Sequence, residues 1–473
     1  MRLLFVVLTV AVGCYRPTVN EGTPCSSDEE CPSALRCYDN QCRRAPGGGG
    51  GGDAMVMPDA AEPLIDAQVG CLCTDAENIA CDGNPATTCA AGCITEGDAA
   101  RCREVIPSNN APRDVSMVSD HITIDAPSTF NTDTGEVSGS VTRAAGEGLG
   151  SGIVFTLTTS QGAQLGVFIM DKLTVAATGS IELIGSRSAV FIVATTATIA
   201  GDVDGSAGCV GDVSCAGPGG GAGAAYNVTA GGCGPGDGGL RNALDDGDSG
   251  GGGGAGGLAG KPGGSSGPLA AGTGGVACVA PALEPLFGGS GGGGGGPGDT
   301  GATLRGGGGG GALQITAFEK LIVSGTINMG GAGGSGGVRA SAESNAAAGS
   351  GGGGGGSVLL EAPEVEVTGI VAANGGAGGG GGSPVGSGAA GGNAMVSGSQ
   401  AVGGNPAGFG GNSKGGNGGA LAGVATKATD VADEDDDGGG GGGGAGTIYI
   451  RSRTSKLSGT ISPAHGSGMV NVQ

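Results

Sequence analysis

Residues 167–183, VFIMDKLTVAATGSIEL, and residues 190–203, VFIVATTATIAGDV, decide the fold. Each opens with an apolar-x-apolar pair, turns at a polar corner and resumes with a second such pair. Each then reaches a glycine and returns to an apolar residue two positions later. Three further segments repeat the arrangement: LQITAFEKLIVSGTI (313–327), VLLEAPEVEVTGIV (358–371) and IYIRSRTSKLSGTI (448–461). A weaker copy starts at Ile122 and reaches Gly135 and Val137. Period-two alternation over four to eight residues reads as strands with one face buried. Three short strands joined at sharp corners make one coil of a stacked repeat, and a coil buries its apolar face only when a neighbour stacks on it.

The marker glycines measure the coil. Gly179 and Gly201 lie 22 residues apart; Gly325, Gly369 and Gly459 follow at intervals of 124, 44 and 90. Gly135 to Gly179 is also 44 residues, which leaves room for one more coil around 153–157. The predicted fold is all-β: a right-handed parallel β-helix of six or seven coils, about 30 Å tall at roughly 4.8 Å per layer.

The extra length always enters after a coil's third strand and before the next first strand. Insertions at equivalent corners map to one face. Arms at 205–311, 330–356 and 375–446 are therefore expected to project side by side from coils at 111–204, 312–329, 357–374 and 447–473. The chain has 116 glycines, and these arms carry the six-glycine runs 291–296, 306–311 and 351–356 and the seven-glycine run 438–444. Glycine loses the most freedom on ordering and buries no side chain. An arm so composed is either a flexible tether or a set of extended helices with three residues per turn, packed backbone against backbone. GGAGGSGG at 330–337 and GGAGGGGG at 375–382 carry their non-glycine residues at spacing three, which leaves two helix faces bare. Cys209, Cys215, Cys233 and Cys278 in the longest arm also favour order, since disulfides in a tether have little to stabilise. The apolar stretch VACVAPALEPLF (276–287) suits an anchor.

The chain opens with Arg2, an apolar run from Leu3 to Val12 and then Ala11-Val12-Gly13-Cys14. The run is too short to span a bilayer and fits a secretory signal over 1–13. Small residues before Cys14 resemble a bacterial lipobox, in which the cysteine becomes the lipidated first residue. Tyr15 after it, where Asp would signal retention, fits release to the outer membrane. Setting Cys14 aside leaves 14 of the 15 cysteines in three even groups. Cys25, Cys31, Cys37 and Cys42 fall in 14–45. Cys71, Cys73, Cys81, Cys89, Cys93 and Cys102 fall in 71–110, beyond a Gly/Pro/Asp linker at 46–70. The third group is the four in the long arm. Three local disulfide sets in an oxidising compartment follow. Zinc is disfavoured, because no paired C-x-x-C motif is present and both histidines are remote. The expected layout is lipid anchor, small cysteine modules as a stalk, then coils.

Taken together, the lipobox, GTPCSSDEECPSALRCYDNQC, PALEPLFGGSGGGGGG at 281–296 and the coil pattern resemble the glycine-rich, cysteine-rich surface lipoproteins of myxobacteria. That resemblance implies a secreted lipoprotein of a Gram-negative outer membrane, exposed at the cell surface, and implies no activity. The arms themselves resemble the glycine-helix bundles of certain phage tail-tip adhesins and of snow-flea antifreeze protein.

Little chemistry is visible. Asp171, Glu182, Glu319, Glu361, Glu364 and Glu366 are isolated along the coils and read as a solvated outer face; Glu364 and Glu366 share a strand face. His121 and His465 have no Ser/Asp partners in view. Trp is absent and Tyr and Phe number 4 and 8, which disfavours a stacking platform for sugars or bases. A net charge of −22 repels nucleic acid. Asp433, Asp435 and Asp437 lie in D-x-D-x-D-G, the opening of many calcium loops, but Gly444 stands where the helix-loop-helix version needs Glu. A second cluster, Asp245-Asp246-Gly247-Asp248, is looser. Solvated arm tips are the plain alternative to weak calcium binding, and no other cofactor is expected. The function expected is non-catalytic: a structural or adhesive surface lipoprotein whose arm tips, such as 226–229, 240–248 and 385–400, recognise cells, polysaccharide or another surface. The alternatives are a polysaccharide-acting enzyme on a β-helix, or an ice- or surface-binding protein.

Overall fold

The computed structural model describes residues 36–38, 41–43, 71–81, 84–96, 99–208, 212, 215–242, 247–299, 301–339, 345–407, 413–432 and 436–473. Two compact units divide the chain, Met1–Leu64 and Ile65–Gln473. In the first, Arg36–Tyr38 pairs antiparallel with Gln41–Arg43, and Cys37 and Cys42 are register partners. Cys14, Cys25 and Cys31 lie outside the described residues.

The second unit is all-β. Among its described residues the only helix is a 3-10 turn at Pro281–Leu283. Each sequence repeat gives one strand to each of three sheets, and successive repeats pair in parallel. The first sheet takes Ala163–Met170, Ser188–Val193, Ala312–Ala317, Ser357–Glu361 and Thr447–Arg451. The second takes His121–Ile124, Lys172–Val175, Thr196–Ile199, Lys320–Val323, Glu364–Val367 and Thr454–Leu457. The third takes Pro127–Asn131, Ser180–Ile184, Asp202–Asp204, Thr326–Asn328, Ile370–Ala372 and Thr460–Ser462.

Register stacks like on like. Phe168, Phe191, Ile315, Leu360 and Ile450 are successive partners in the first sheet. Ile181, Val203, Ile327, Val371 and Ile461 are their counterparts in the third. These ladders meet in one buried cluster, with Phe130, Phe155, Phe168 and Phe191 packed ring on ring at its first layers. The marker glycines also stack. A Cβ on Gly201, Gly325, Gly369 or Gly459 would stand 2.0–2.1 Å from the carbonyl oxygen of the preceding marker glycine. The corner is too close for any side chain, which is why the repeat carries glycine there.

Two expectations about the first coils fail. Ile153–Ser160 is not an extra parallel coil: it pairs antiparallel with Ala163–Met170 through Ser160↔Ala163. Gln161 and Gly162 between them both have positive φ, +47° and +92°. Two such residues make the tight hairpin turn whose twist suits flanking strands, and the hairpin covers the edge of the first sheet. Gly135 is likewise not a marker. It turns the chain at φ +72° between Pro127–Asn131 and its antiparallel partner Val137–Ser138, while Gly179 sits over Ile124 instead.

The module at 71–102 is stapled by Cys71–Cys81, Cys73–Cys93 and Cys89–Cys102, all within its own group. It is not a free stalk. Glu104 and Gln473 exchange backbone hydrogen bonds, and Arg453 donates to the Ala90 carbonyl at 3.2 Å and pairs with Glu77 at 3.4 Å. The module is thereby held to the last coil and to the chain terminus.

Among the described residues, the glycine runs of the arms form hydrogen-bonded extended helices. In residues 348–356 the backbone N–H groups donate in strict rotation to three neighbours. Ala348, Gly351 and Gly354 donate to Gly296, Gly293 and Ser290; Gly349, Gly352 and Gly355 donate to Gly438, Gly441 and Gly444; Ser350, Gly353 and Gly356 donate to Ser335, Ala332 and Met329. The carbonyls of residues 349–354 accept from three more segments, at 251–254, 307–310 and 376–379. A three-residue rotation is the signature of an extended helix with three residues per turn. Bonds to six neighbours satisfy both the N–H and the carbonyl of every residue from 349 to 354, which meets the requirement on any dry interior. All three arms contribute, and the shortest supplies the central helix. Each arm is also clasped where it leaves the coils: Gly311 N–H donates to Gly205, Gly356 to Met329 and Gly446 to Ala373, all at 2.7–2.9 Å.

Candidate functional site

Two places collect functional side chains. One is the end of the glycine bundle farthest from the strands. Here Asp248 and Asp437, both fully buried, join the three arms. Asp248 Oδ1 accepts the Asn242 N–H at 2.8 Å and Asn345 Nδ2 at 3.2 Å, and its Oδ2 accepts the Gly298 N–H at 2.7 Å. The Asp248 N–H donates to Asp437 Oδ1 at 2.7 Å. Asp248 thus ties two turns of the first arm to the second arm through Asn345 and to the third through Asp437. Arg241 pairs with Asp299 at 2.7 Å beside it.

Glycine flanks both aspartates for a steric reason. A Cβ on Gly296 would meet Asp248 Oδ2 at 2.5 Å, and one on Gly381 would meet the Asp437 carbonyl at 1.9 Å. The solvated-tip expectation therefore fails for Asp248 and Asp437, because neighbouring glycine helices close over them. Burial pushes the Asp437 carboxyl up to about 8, reinforced by the charges of Asp248 and Asp436. Burial also raises the Asp248 carboxyl, against the pull of its amide donors. Asp433 and Asp435 lie outside the described residues.

A pH dependence follows from Asp437. The folded chain keeps this proton in a range where the unfolded chain, with an ordinary value of 3.8, has lost it. The native state then binds more protons, and stability falls as pH rises from about 4 to about 8. Urea midpoints measured in chelator at pH 5 and pH 8 should show the fall, and Asp437→Asn should flatten it. An identical pH profile in the variant refutes the assignment.

The second place is the outer face of the third sheet. Glu182 and Asp204 are register partners one layer apart, and Asp202 lies two residues from Asp204. With Ser180 and Ser206 they line a shallow groove of about 310 Å³; an adjoining one of about 220 Å³ runs to Thr326, Asn328 and Val396. Of the three acids the sequence points to Glu182 alone, since the other two sit one coil later in the chain. Among the described residues no group of three or more His, Cys, Asp or Glu is placed to hold a metal ion.

The remaining acids and histidines of the coils sit apart from both places. Glu364 and Glu366 share the outer face of the second sheet, where Lys320 meets them at 2.7 and 3.5 Å and Lys456 reaches Glu366 at 2.9 Å. His121 contacts Thr174 Oγ1 at 2.9 Å. Glu361 departs from the solvated reading: it is fully buried under residues 108–109 and 281–287. It accepts from Thr316 at 2.7 Å and Gln314 at 3.0 Å, and from the hydroxyl of Ser108. Leu283 and Leu286 pack beside this network on the first sheet, so the second half of the stretch 276–287 docks as an anchor, whereas Val276 and Val279 in its first half stay exposed. Cys233–Cys278 closes within the long arm, Cys215 is disulfide-bonded, and Cys209 lies outside the described residues. The expected tip 385–400 spans both ends of the bundle. Val385 lies in the far turn Ser383–Gly386, whereas Met395 and Ser397 receive Asn374 beside the coils.

Scans against protein-family models, curated proteins and solved structures return no match.

Proposed function

We propose that this chain is a non-catalytic lipoprotein of a Gram-negative outer membrane, anchored through lipid on Cys14 and displayed at the cell surface. Its parallel strands wind as a right-handed β-helix, and its glycine arms present their far turns to cells, polysaccharide or another surface. The observation that carries this reading is the Asp248 junction. Joining three arms at one end turns separate loops into a single rigid platform, and recognition belongs on loops held by a rigid frame. Exposed Leu240 and Val385, 49% and 68% accessible, stand on that end.

The arms share one hydrogen-bonded bundle, so deleting an arm would orphan the backbone of the others. The test therefore alters turns only. Lipid-free protein and Leu240→Ser/Val385→Ser are compared for binding to whole cells and to extracted polysaccharides. Taking two apolar side chains off the far turns should weaken binding roughly 10-fold or more; equal binding by both proteins sinks the adhesive reading.

A second reading, cleavage of polysaccharide, draws on the Glu182–Asp202–Asp204 groove, since glycoside hydrolysis works with paired carboxylates. New reducing ends from wild type and none from Asp204→Asn would favour it.

A further inference from the structure

Among the described residues, Asp437 Oδ2 is the one buried side-chain nitrogen or oxygen without a hydrogen-bond partner. A buried carboxyl oxygen left bare calls for an explanation from outside the chain, such as water or an ion. Its setting selects between them. The other Asp437 oxygen accepts the N–H of Asp248, a second fully buried carboxylate. Asp248 is held by three N–H donors on its own oxygens. The nearby guanidinium of Arg241 is paired with Asp299. Two acidic groups therefore share a buried junction in which, among the described residues, no cationic side chain is committed to Asp437. The sequence around them is also acidic, with Asp245-Asp246 before one and Asp433 to Asp436 before the other. Glycine backbone closes on both aspartates, at Gly296 over Asp248 and at Gly381 over Asp437. Carboxyl oxygens suit a hard cation that tolerates irregular geometry, as calcium does.

We propose that the far junction of the three arms binds one divalent cation of the calcium type through Asp437 Oδ2, with Asp248 as the second acidic group. The ion would cross-link the first and third arms where Asp248 meets Asp437, and so fix the relative position of the far turns. This inference does not depend on adhesion: it stands even if those turns bind nothing.

The test uses the full lipid-free chain stripped with a chelator. Calcium chloride is titrated in by calorimetry, and terbium luminescence is followed in parallel. One equivalent should bind, with a dissociation constant of about 10⁻⁴–10⁻³ M, as in other extracellular sites. Asp437→Asn should weaken this at least 10-fold, while Asp171→Asn, at the corner between strands Ala163–Met170 and Lys172–Val175, should leave it unchanged. Absence of both heat and terbium emission in the wild type overturns the proposal, as does equal affinity in Asp437→Asn. Should Asp437→Asn not fold, the wild-type thermal midpoint decides. It must rise in calcium relative to potassium at equal ionic strength, and an unchanged midpoint overturns the site.

Discussion

Gly352→Ala is expected to destabilise the second unit by about 3 kcal/mol, the upper part of the range for forcing atoms into a packed interior. The added methyl would stand 2.3 Å from the Gly376 carbonyl oxygen and 2.6 Å from its carbon. Neither atom can retreat. Gly376 donates its N–H to Gly353, and its carbonyl accepts from Gly443, both at 2.9 Å. Relief would break bonds in two further helices, and each orphaned buried group costs about 1–3 kcal/mol. Gly238 is the control. The nearest atom to its Cβ position is 3.5 Å away, an ordinary contact, and its φ is not positive. Gly238→Ala should be neutral or mildly stabilising, because alanine narrows the unfolded ensemble. Urea midpoints at constant m-value give the comparison. Equal shifts in the two variants would mean that the helices are not packed as described.

Arg451→Met should lower stability by about 3–5 kcal/mol, the usual penalty for removing one partner of a buried ion pair. Arg451 stands 3.6 Å from Glu361 Oε1, donates to the Ser108 hydroxyl and pairs with Glu284 at 2.6 Å. Through these contacts one side chain joins the last coil, the preceding coil, the segment leading from the cysteine module and the anchor of the longest arm. Methionine keeps the volume and leaves Glu361 facing a dry interior without a countercharge. Adding Glu361→Gln should restore part of the loss, because the neutral amide no longer needs one. Urea unfolding of both single variants and the double closes the cycle. Strict additivity would show that the two groups act independently.

Strand positions are legible in the sequence because alternation and the corner glycine are both local signals, as at Gly201 and Gly325. What covers the outer faces is not. Val190 and Ile192 point away from the inner ladder yet are fully buried, packed among Leu283, Leu286 and neighbouring strands. Their continuous apolar run, VFIV, is the available clue, since strands buried on both faces lose alternation. Glu361 reads as solvated for the same reason: its cover arrives from residues 108 and 284, far away in the chain. The antiparallel start at 153–160 hides behind a spacing of 44 that happens to match, although Gln161-Gly162 supplies a hairpin signal. In the arms, backbone makes the bonds, so no side-chain pattern says which run neighbours which. Asp248 and Asp437 look like solvated acids because nothing local reveals that glycine helices close over them.

The clasp at the root of each arm has an evolutionary consequence. With one amide bridging departure and return, a coil meets the same geometry whether the excursion is 329–356 or 205–311. Loop-closure entropy grows only with the logarithm of length, so a lineage can lengthen or shorten an excursion by whole out-and-back pairs without re-registering a single rung. The length of an excursion is thereby separated from the register of the parallel strands, and the two can diverge at different rates.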